Sequence, residues 1–230
     1  MLLNVTFSII MGAGLTKQGS EMTKPGRPRS EETRRAILVA AGKLLFRKGV
    51  SGFTIEEVAR LSGASKVTIY KWWPSRGALA LDGFFSIVSP TIDVALTGDL
   101  SADLATQAES IVALFRDTRT GPVLAGLIAE AQSDPDLAEA LRTRWLDPRR
   151  EAGAVVLRAA KQNGEIRADV DTTMVLDQVY GAIYIRLLLG HAPMPDGMAT
   201  AMIRNLMTGI RSPSSTTRQR GVREARSTDR

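Results

Sequence analysis

The chain has 230 residues, no cysteine and one histidine, His191, which excludes disulfide scaffolds, thiolate zinc or iron–sulfur sites and any multi-histidine metal centre. With 44% hydrophobic and 23% charged residues the composition is globular, and no uncharged apolar run is long enough to cross a membrane. The net charge of +6 is unevenly spread: 13 basic and 6 acidic residues in 1–85, 11 and 16 in 86–210, and 6 and 2 in 211–230, so a basic front and tail that suit a polyanion flank an acidic middle.

Residues 1–29 read as a disordered extension that ends in a basic, Pro/Gly-broken arm. No basic residue precedes its apolar start, so it is not a secretory signal, and Met1, Met11 and Met22 each stand as a candidate start. Gly12 to Lys17 lacks the spacing of a phosphate loop. Ser30 is placed to cap a first helix, with Glu31 and Glu32 in its first turn, Ile37, Ala41, Leu44 and Leu45 on one face, and Gly49 at its end.

Thr54-Ile55-Glu56-Glu57 is a capping box, with Phe53 and Val58 as its hydrophobic staple. That helix ends at about Ser62, because Gly63-Ala64 follows, and Ser65 caps a second short helix that Pro74 stops. Ser75 opens the next one. From residue 89 onward every segment reads as helix. The expected caps or breaks are Ser101, Gly121-Pro122, Asp134-Pro135, Asp147-Pro148, Asn163-Gly164 and Asp171, with a last helix over about 196–210. No alternating strand pattern appears, and residues 211–230 read as a disordered basic tail.

Two short helices joined by a turn containing glycine form a helix-turn-helix, here 54–62 and 65–73. Val58, Ala59 and Leu61 are expected to face inward from the first, and Ile69 from the second. Lys66, Val67, Thr68 and Lys71 then point outward. A lysine can donate to guanine, and valine and threonine methyls can pack on thymine, which is what major-groove reading requires. Tyr70, Trp72 and Arg76, with the backbone at the Ser75 helix start, suit phosphate oxygens.

The stretch from Gly26 to about Phe85 resembles the DNA-binding domain of the tetracycline-repressor (TetR) family of bacterial regulators. The resemblance is carried by Arg34-Arg35-Ala36-Ile37-Leu38, Leu44-Leu45-Phe46, Phe53-Thr54, Val58-Ala59, Ser62-Gly63-Ala64-Ser65-Lys66, Thr68-Ile69-Tyr70 and Trp72-Trp73-Pro74-Ser75-Arg76. Ala64 stands where valine is more usual, Arg76 where lysine is usual, and Val67 where glycine is frequent. The resemblance implies an all-α chain: a three-helix DNA-binding domain over 30–85, then a larger helical effector-binding and dimerisation domain over 86–210. It implies that Thr54, Tyr70, Trp72 and Arg76 hold phosphates, that Ser65, Lys66, Val67 and Thr68 enter the major groove, that Trp73 is core, and that Arg27 and Arg29 reach an adjacent minor groove.

Weaker similarities in the second domain, such as Gly126-Leu127-Ile128-Ala129-Glu130 and Gly164-Glu165-Ile166-Arg167, imply dimerisation and small-molecule binding. Phe115, Leu124, Ile128, Trp145, Tyr180 and Tyr184 are the candidate pocket residues. The helix 172–190 is apolar nearly all round, so it needs cover on both sides, and Val179, Ile183, Leu187, Met202 and Leu206 are the candidate dimer contacts. The resulting expectation is a cytoplasmic, non-enzymatic, homodimeric repressor that takes double-stranded DNA and a small hydrophobic effector and needs no cofactor. An enzyme with a fused DNA domain would need a nucleophile elbow, phosphate loop or metal cluster that the sequence lacks, and an architectural protein would need no defined recognition helix.

Overall fold

A computed structural model of the chain describes residues 27–88 and 97–211; the extension before residue 27 and the tail after 211 lie outside them. The described residues form ten α-helices and one π-helical turn, and their only β-type pairing is an isolated bridge between Ile166 and Arg211. In chain order they are α1 (Arg27–Lys48), α2 (Ile55–Ser62), α3 (Lys66–Trp72), α4 (Arg76–Phe85), α5 (Leu100–Asp117), α6 (Thr120–Ala131), α7 (Pro135–Leu141), the π turn (Arg142–Leu146), α8 (Asp147–Gln162), α9 (Thr172–Leu189) and α10 (Met198–Ile210).

Many boundaries follow from cap chemistry. Thr54, Ser65, Ser75, Asp134 and Asp171 each accept a backbone N–H of the first turn behind them. Gly63 closes α2 at φ 71°, a left-handed conformation that favours glycine. Four expectations need correction. Helix α1 starts at Arg27, so Ser30 lies inside its first turn and not before it. Asp99 caps α5 in place of Ser101, because its carboxylate accepts from both Ser101 N and Ala102 N. Gly121-Pro122 lies within the first turn of α6, where a proline costs no hydrogen bond, and the break falls at Thr118-Arg119. Asp147-Pro148 opens α8 as its first two residues and not after a break, since the chain is helical from Pro135 through the π turn to Gln162. A proline ring inside an α-helix meets the carbonyl four residues back, here Arg144, and the wider π turn lies at that place. Arg211, the first residue of the expected tail, is tied through its backbone to Ile166.

The helices pack as two compact units. One holds α1 to α4 with α6, α7 and the π turn; the other holds α5, α8, α9 and α10. Packing therefore groups α6 and α7 with the helix-turn-helix, although in chain order they follow residue 86.

In the first unit Ile37, Ala41, Leu44 and Leu45 of α1 are fully buried against Leu79, Ala80, Leu81 and Phe84 of α4. The two helices cross at Gly42 and Gly83. A side chain at Gly83 would lie 3.1 Å from the Ala41 backbone, and one at Gly42 would lie 2.9 Å from the Gly83 carbonyl oxygen. The staple residues Phe53 and Val58 are both fully buried, each stabilising by about 1.5–3 kcal/mol relative to exposure. Trp73 is buried as expected; its indole N–H donates to Asp82 at 2.8 Å, and Arg144 donates to the other Asp82 oxygen at 2.7 Å. Leu61 does not face inward as expected: it is 40% exposed.

In the second unit Leu104, Ala108, Ile111, Val112 and Phe115 of α5 form one wall, and Val175, Val179, Tyr180 and Ile183 of α9 are buried with Val156 and Leu157 of α8. Gly153 lets α8 and α9 approach closely, since a side chain there would lie 2.6 Å from Leu176.

Gly42→Val places a branched side chain against the Gly83 carbonyl. It should cost about 1–3 kcal/mol by overpacking, read as a lower denaturation midpoint.

Candidate nucleic-acid interface

The recognition helix α3 is seven residues long and anchored by one buried residue, Ile69. Everything else on it is exposed or half-buried, with Val67 at 81% and Tyr70 at 51%. Ser65 holds the helix start: its hydroxyl accepts from Thr68 N at 3.1 Å and meets the Thr68 hydroxyl at 2.9 Å. Trp72 is half-buried, edge-on to Trp73 with ring centres 5.9 Å apart. Thr54 is exposed; its hydroxyl accepts from Glu57 N at 3.2 Å.

Only half of the expected capping box forms. The Glu57 carboxylate turns to Arg60, which donates to both its oxygens at 2.8 and 2.9 Å, with Lys48 at 3.7 Å and Arg47 at 3.9 Å. The Arg60 hydrogen bonds, opposed by desolvation, bring the Glu57 carboxyl down to about 2.

The lysine at the start of α3 is paired across the motif. Lys66 Nζ donates to Glu56 on α2 at 2.9 Å, and both side chains are more than half exposed. The hydrogen bond from Lys66 holds the Glu56 carboxyl below its ordinary value, and Glu56 raises the lysine. Such an exposed pair is weak in water and exchanges readily for another partner. Glu56 was not a candidate by sequence. Its signal is geometric, because ten residues separate the pair in the chain.

Arg76 is placed differently from the expectation that it holds phosphate. Its Nη1 donates to the backbone oxygens of Val50 and Phe53, both at 3.1 Å, and its Nη2 pairs with Glu130 of α6 at 2.8 Å. The start of α4 is likewise turned toward acids. A side chain at Gly77 would lie 3.1 Å from an Asp134 oxygen and 3.7 Å from one of Glu130, so carboxylates meet the positive end of that helix. Arg76, with a half-buried side chain, thus joins the α1–α2 loop, α4 and α6. Arg27 and Arg29 lie on the first turn of α1 and not on a free arm; their side chains lie outside the described residues.

A model for "Bacterial regulatory proteins, tetR family" matches residues 37–82, and one for "Tetracyclin repressor-like, C-terminal domain" matches 94–206. The chain belongs to the TetR family. It is 37% identical over 194 residues to the uncharacterized HTH-type transcriptional regulator YdeS of Bacillus subtilis, covering 84% of this chain and 98% of that protein. It is 29% identical over 192 residues to the DNA-binding transcriptional repressor TetR of Mycobacteroides abscessus, covering 81% and 98%. Among solved structures it is similar to the TetR family transcription regulator SCO0332, with 45% identity, a TM-score of 0.64, and 79% of this chain and 100% of that one covered. The chain is therefore an all-helical, DNA-binding regulator of a bacterial family.

The six candidate pocket residues divide between the packing units. Leu124, Ile128 and Trp145 belong to the unit of the helix-turn-helix, where Trp145 is core, edge-on to Phe84 at 5.2 Å. Phe115, Tyr180 and Tyr184 belong to the other, where Phe115 and Tyr184 meet edge-on at 5.6 Å and the Tyr180 hydroxyl donates to the Arg149 carbonyl at 3.2 Å. An open groove of about 510 Å³ on α5 is lined by Ala102, Ala105, Thr106, Glu109, Ser110, Ala113 and Thr200, and none of the six lines it.

The dimer candidates also divide. Val179 and Ile183 are covered by their own chain and cannot contact a partner, whereas Leu187, Met202 and Leu206 are half-buried. The apolar side chains that α9 leaves exposed are Met174, Ile185, Leu188 and Leu189. Among the described residues no helix is long and apolar enough to cross a membrane.

Arg76→Ala should lower stability by about 1–3 kcal/mol, because two carbonyls and Glu130 lose a charged donor, while Tyr70→Phe should melt like the parent. Parallel thermal melts decide it; equal melting of the two variants would return Arg76 to a phosphate role.

Proposed function

We propose that the chain is a ligand-responsive, sequence-specific repressor that binds a near-palindromic operator as a homodimer in the cytoplasm and is released by a small hydrophobic effector. Residues 30–85 read the DNA, and 86–210 bind effector and partner. The observation that carries the reading is the α2–α3 pair, with exposed Lys66 and Val67 beside half-buried Thr68 on a helix anchored by Ile69. Ser65, Lys66, Val67 and Thr68 enter the major groove; Thr54, Tyr70 and Trp72 hold phosphates. Lys66 exchanges Glu56 for a base, which makes the lysine a reader whose charge is partly neutralised until the right edge is met. The repressor named among the relatives supports the sign of regulation.

Two recognition helices about 34 Å apart are needed for a palindrome, which calls for two copies. Met174, Gly181, Ile185 and Leu188 recur at helical spacing on the exposed side of α9, and nothing stands within 4 Å of where a Gly181 side chain would begin. This stripe, with Leu187, Met202 and Leu206 at its flank, is the surface we assign to the second copy.

Selection of bound duplexes from random DNA at physiological salt should return a palindromic consensus. Lys66→Ala should change the preferred base at one position of each half-site, by about tenfold or more. Glu56→Gln should steepen the salt dependence of non-specific binding by about one ion, because it frees the lysine for phosphate. Enrichment of base composition alone would refute sequence-specific repression.

Light scattering should give a dimer for the parent and a monomer for the double variant Ile185→Arg, Leu188→Arg. A dimer that survives both charges places the contact elsewhere.

A further inference from the structure

The second packing unit buries a cluster of polar side chains. Helix α5 carries an apolar stripe, Leu104, Ala108, Ile111 and Phe115, and Gln107 lies in it, only 4% exposed. Its amide Nε2 is buried without a hydrogen-bond partner. Arg149 of α8 is also 4% exposed, so a guanidinium is held out of water. Tyr180 of α9 is buried beside it, its hydroxyl on the Arg149 carbonyl at 3.2 Å. One turn after Arg149, the side-chain position at Gly153 is 3.4 Å from the Tyr180 hydroxyl and 3.7 Å from Gln107 Oε1, so the Gln107 and Tyr180 side chains meet over α8, one turn from Arg149.

The Gln107 amide and the Arg149 guanidinium are both hydrogen-bond donors. A buried amide N–H without an acceptor is a standing cost of the ligand-free chain. Burial brings the Arg149 guanidinium down to about 10 even though Tyr184 and Tyr180 act in the opposite direction, so negative charge would be favoured beside it. Phe115 and Tyr184, edge-on to one another, supply apolar surface in the same unit.

We propose that Gln107 and Arg149, with Tyr180, form the oxyanion-binding end of the effector site, and that the effector is a small organic acid whose carboxylate they hold while its apolar body lies against Phe115 and Tyr184. The inference rests on the ligand-responsive reading above and adds the chemical class of the ligand. The carboxylate accepts from the Gln107 amide and pairs with the guanidinium. Binding parts the three helices around the cluster, and the acid favours that parted state because only there can it reach both donors. This difference in affinity is what a ligand needs to shift the population off DNA.

The test uses the full chain with sodium decanoate and sodium 4-phenylbutyrate, each beside its uncharged alcohol, followed by melting and calorimetry. At least one acid should bind saturably and raise the melting temperature, and its alcohol should not. Gln107→Met should weaken that acid by about tenfold or more. The same variant should melt no lower than the parent, because it deletes a donor without a protein partner, so the comparison holds even where Arg149→Met fails to fold. The assignment is overturned if neither acid binds, if an alcohol binds as tightly as its acid, or if Gln107→Met leaves acid binding unchanged. Operator selection is read separately. A chain that selects an operator but binds no acid keeps the regulator reading and loses the acid, and a chain that binds acid but selects no operator does the reverse.

Discussion

The guanidinium of Arg76 is the point at which the DNA-binding motif is tied to the helices that follow it in the chain. From the first turn of α4 it reaches the carbonyls of Val50 and Phe53, which bracket the entry to α2, and the Glu130 carboxylate of α6. A planar fork with five donors can satisfy three acceptors from two directions at once, which a lysine cannot do. The neighbouring Asp82 does the same with opposite charge, accepting from Trp73 and Arg144. The orientation of the recognition helix is therefore set by ion pairs to α6 and the π turn as well as by its own short core.

The outer face of the motif is built on different terms. Its acids, Glu56 and Glu57, each hold cations: Lys66 for the first, and Arg60, Lys48 and Arg47 for the second. The basic front seen in the sequence is thus partly neutralised on the outer face of the helix-turn-helix. Glu57 is bound by several donors and is a fixture. Glu56 is bound by one flexible lysine in water, so that pair separates at little cost. The lysine can therefore change partner without disturbing the scaffold beneath it.

The second packing unit reverses the logic. There the polar groups are inside: Gln107, Arg149, Tyr180 and Asp103, which accepts from Thr97. Asp103 is satisfied by its loop, whereas Gln107 keeps an unpaired donor. A buried donor without an acceptor costs stability, a cost that an acceptor arriving from outside would remove.

Local chemistry was legible in the sequence. Caps at Thr54, Ser65, Ser75, Asp134 and Asp171, the Phe53–Val58 staple and the glycine turn at Gly63 depend on residues within five positions of one another, so the chain states them directly. The all-helical class, the helix-turn-helix and the family followed from them. Even the Gln107 signal was present, as a glutamine in an apolar stripe. What needed the tertiary structure was every contact between residues distant in sequence. Arg76 and Lys66 read as free cations until Glu130 and Glu56 are brought to them. Val179 and Ile183 read as interface until their own unit covers them. Periodicity reports that a face is apolar and composition reports that a residue is charged. Only the fold decides what covers that face, or which partner takes that charge, because burial and pairing are properties of the space between elements.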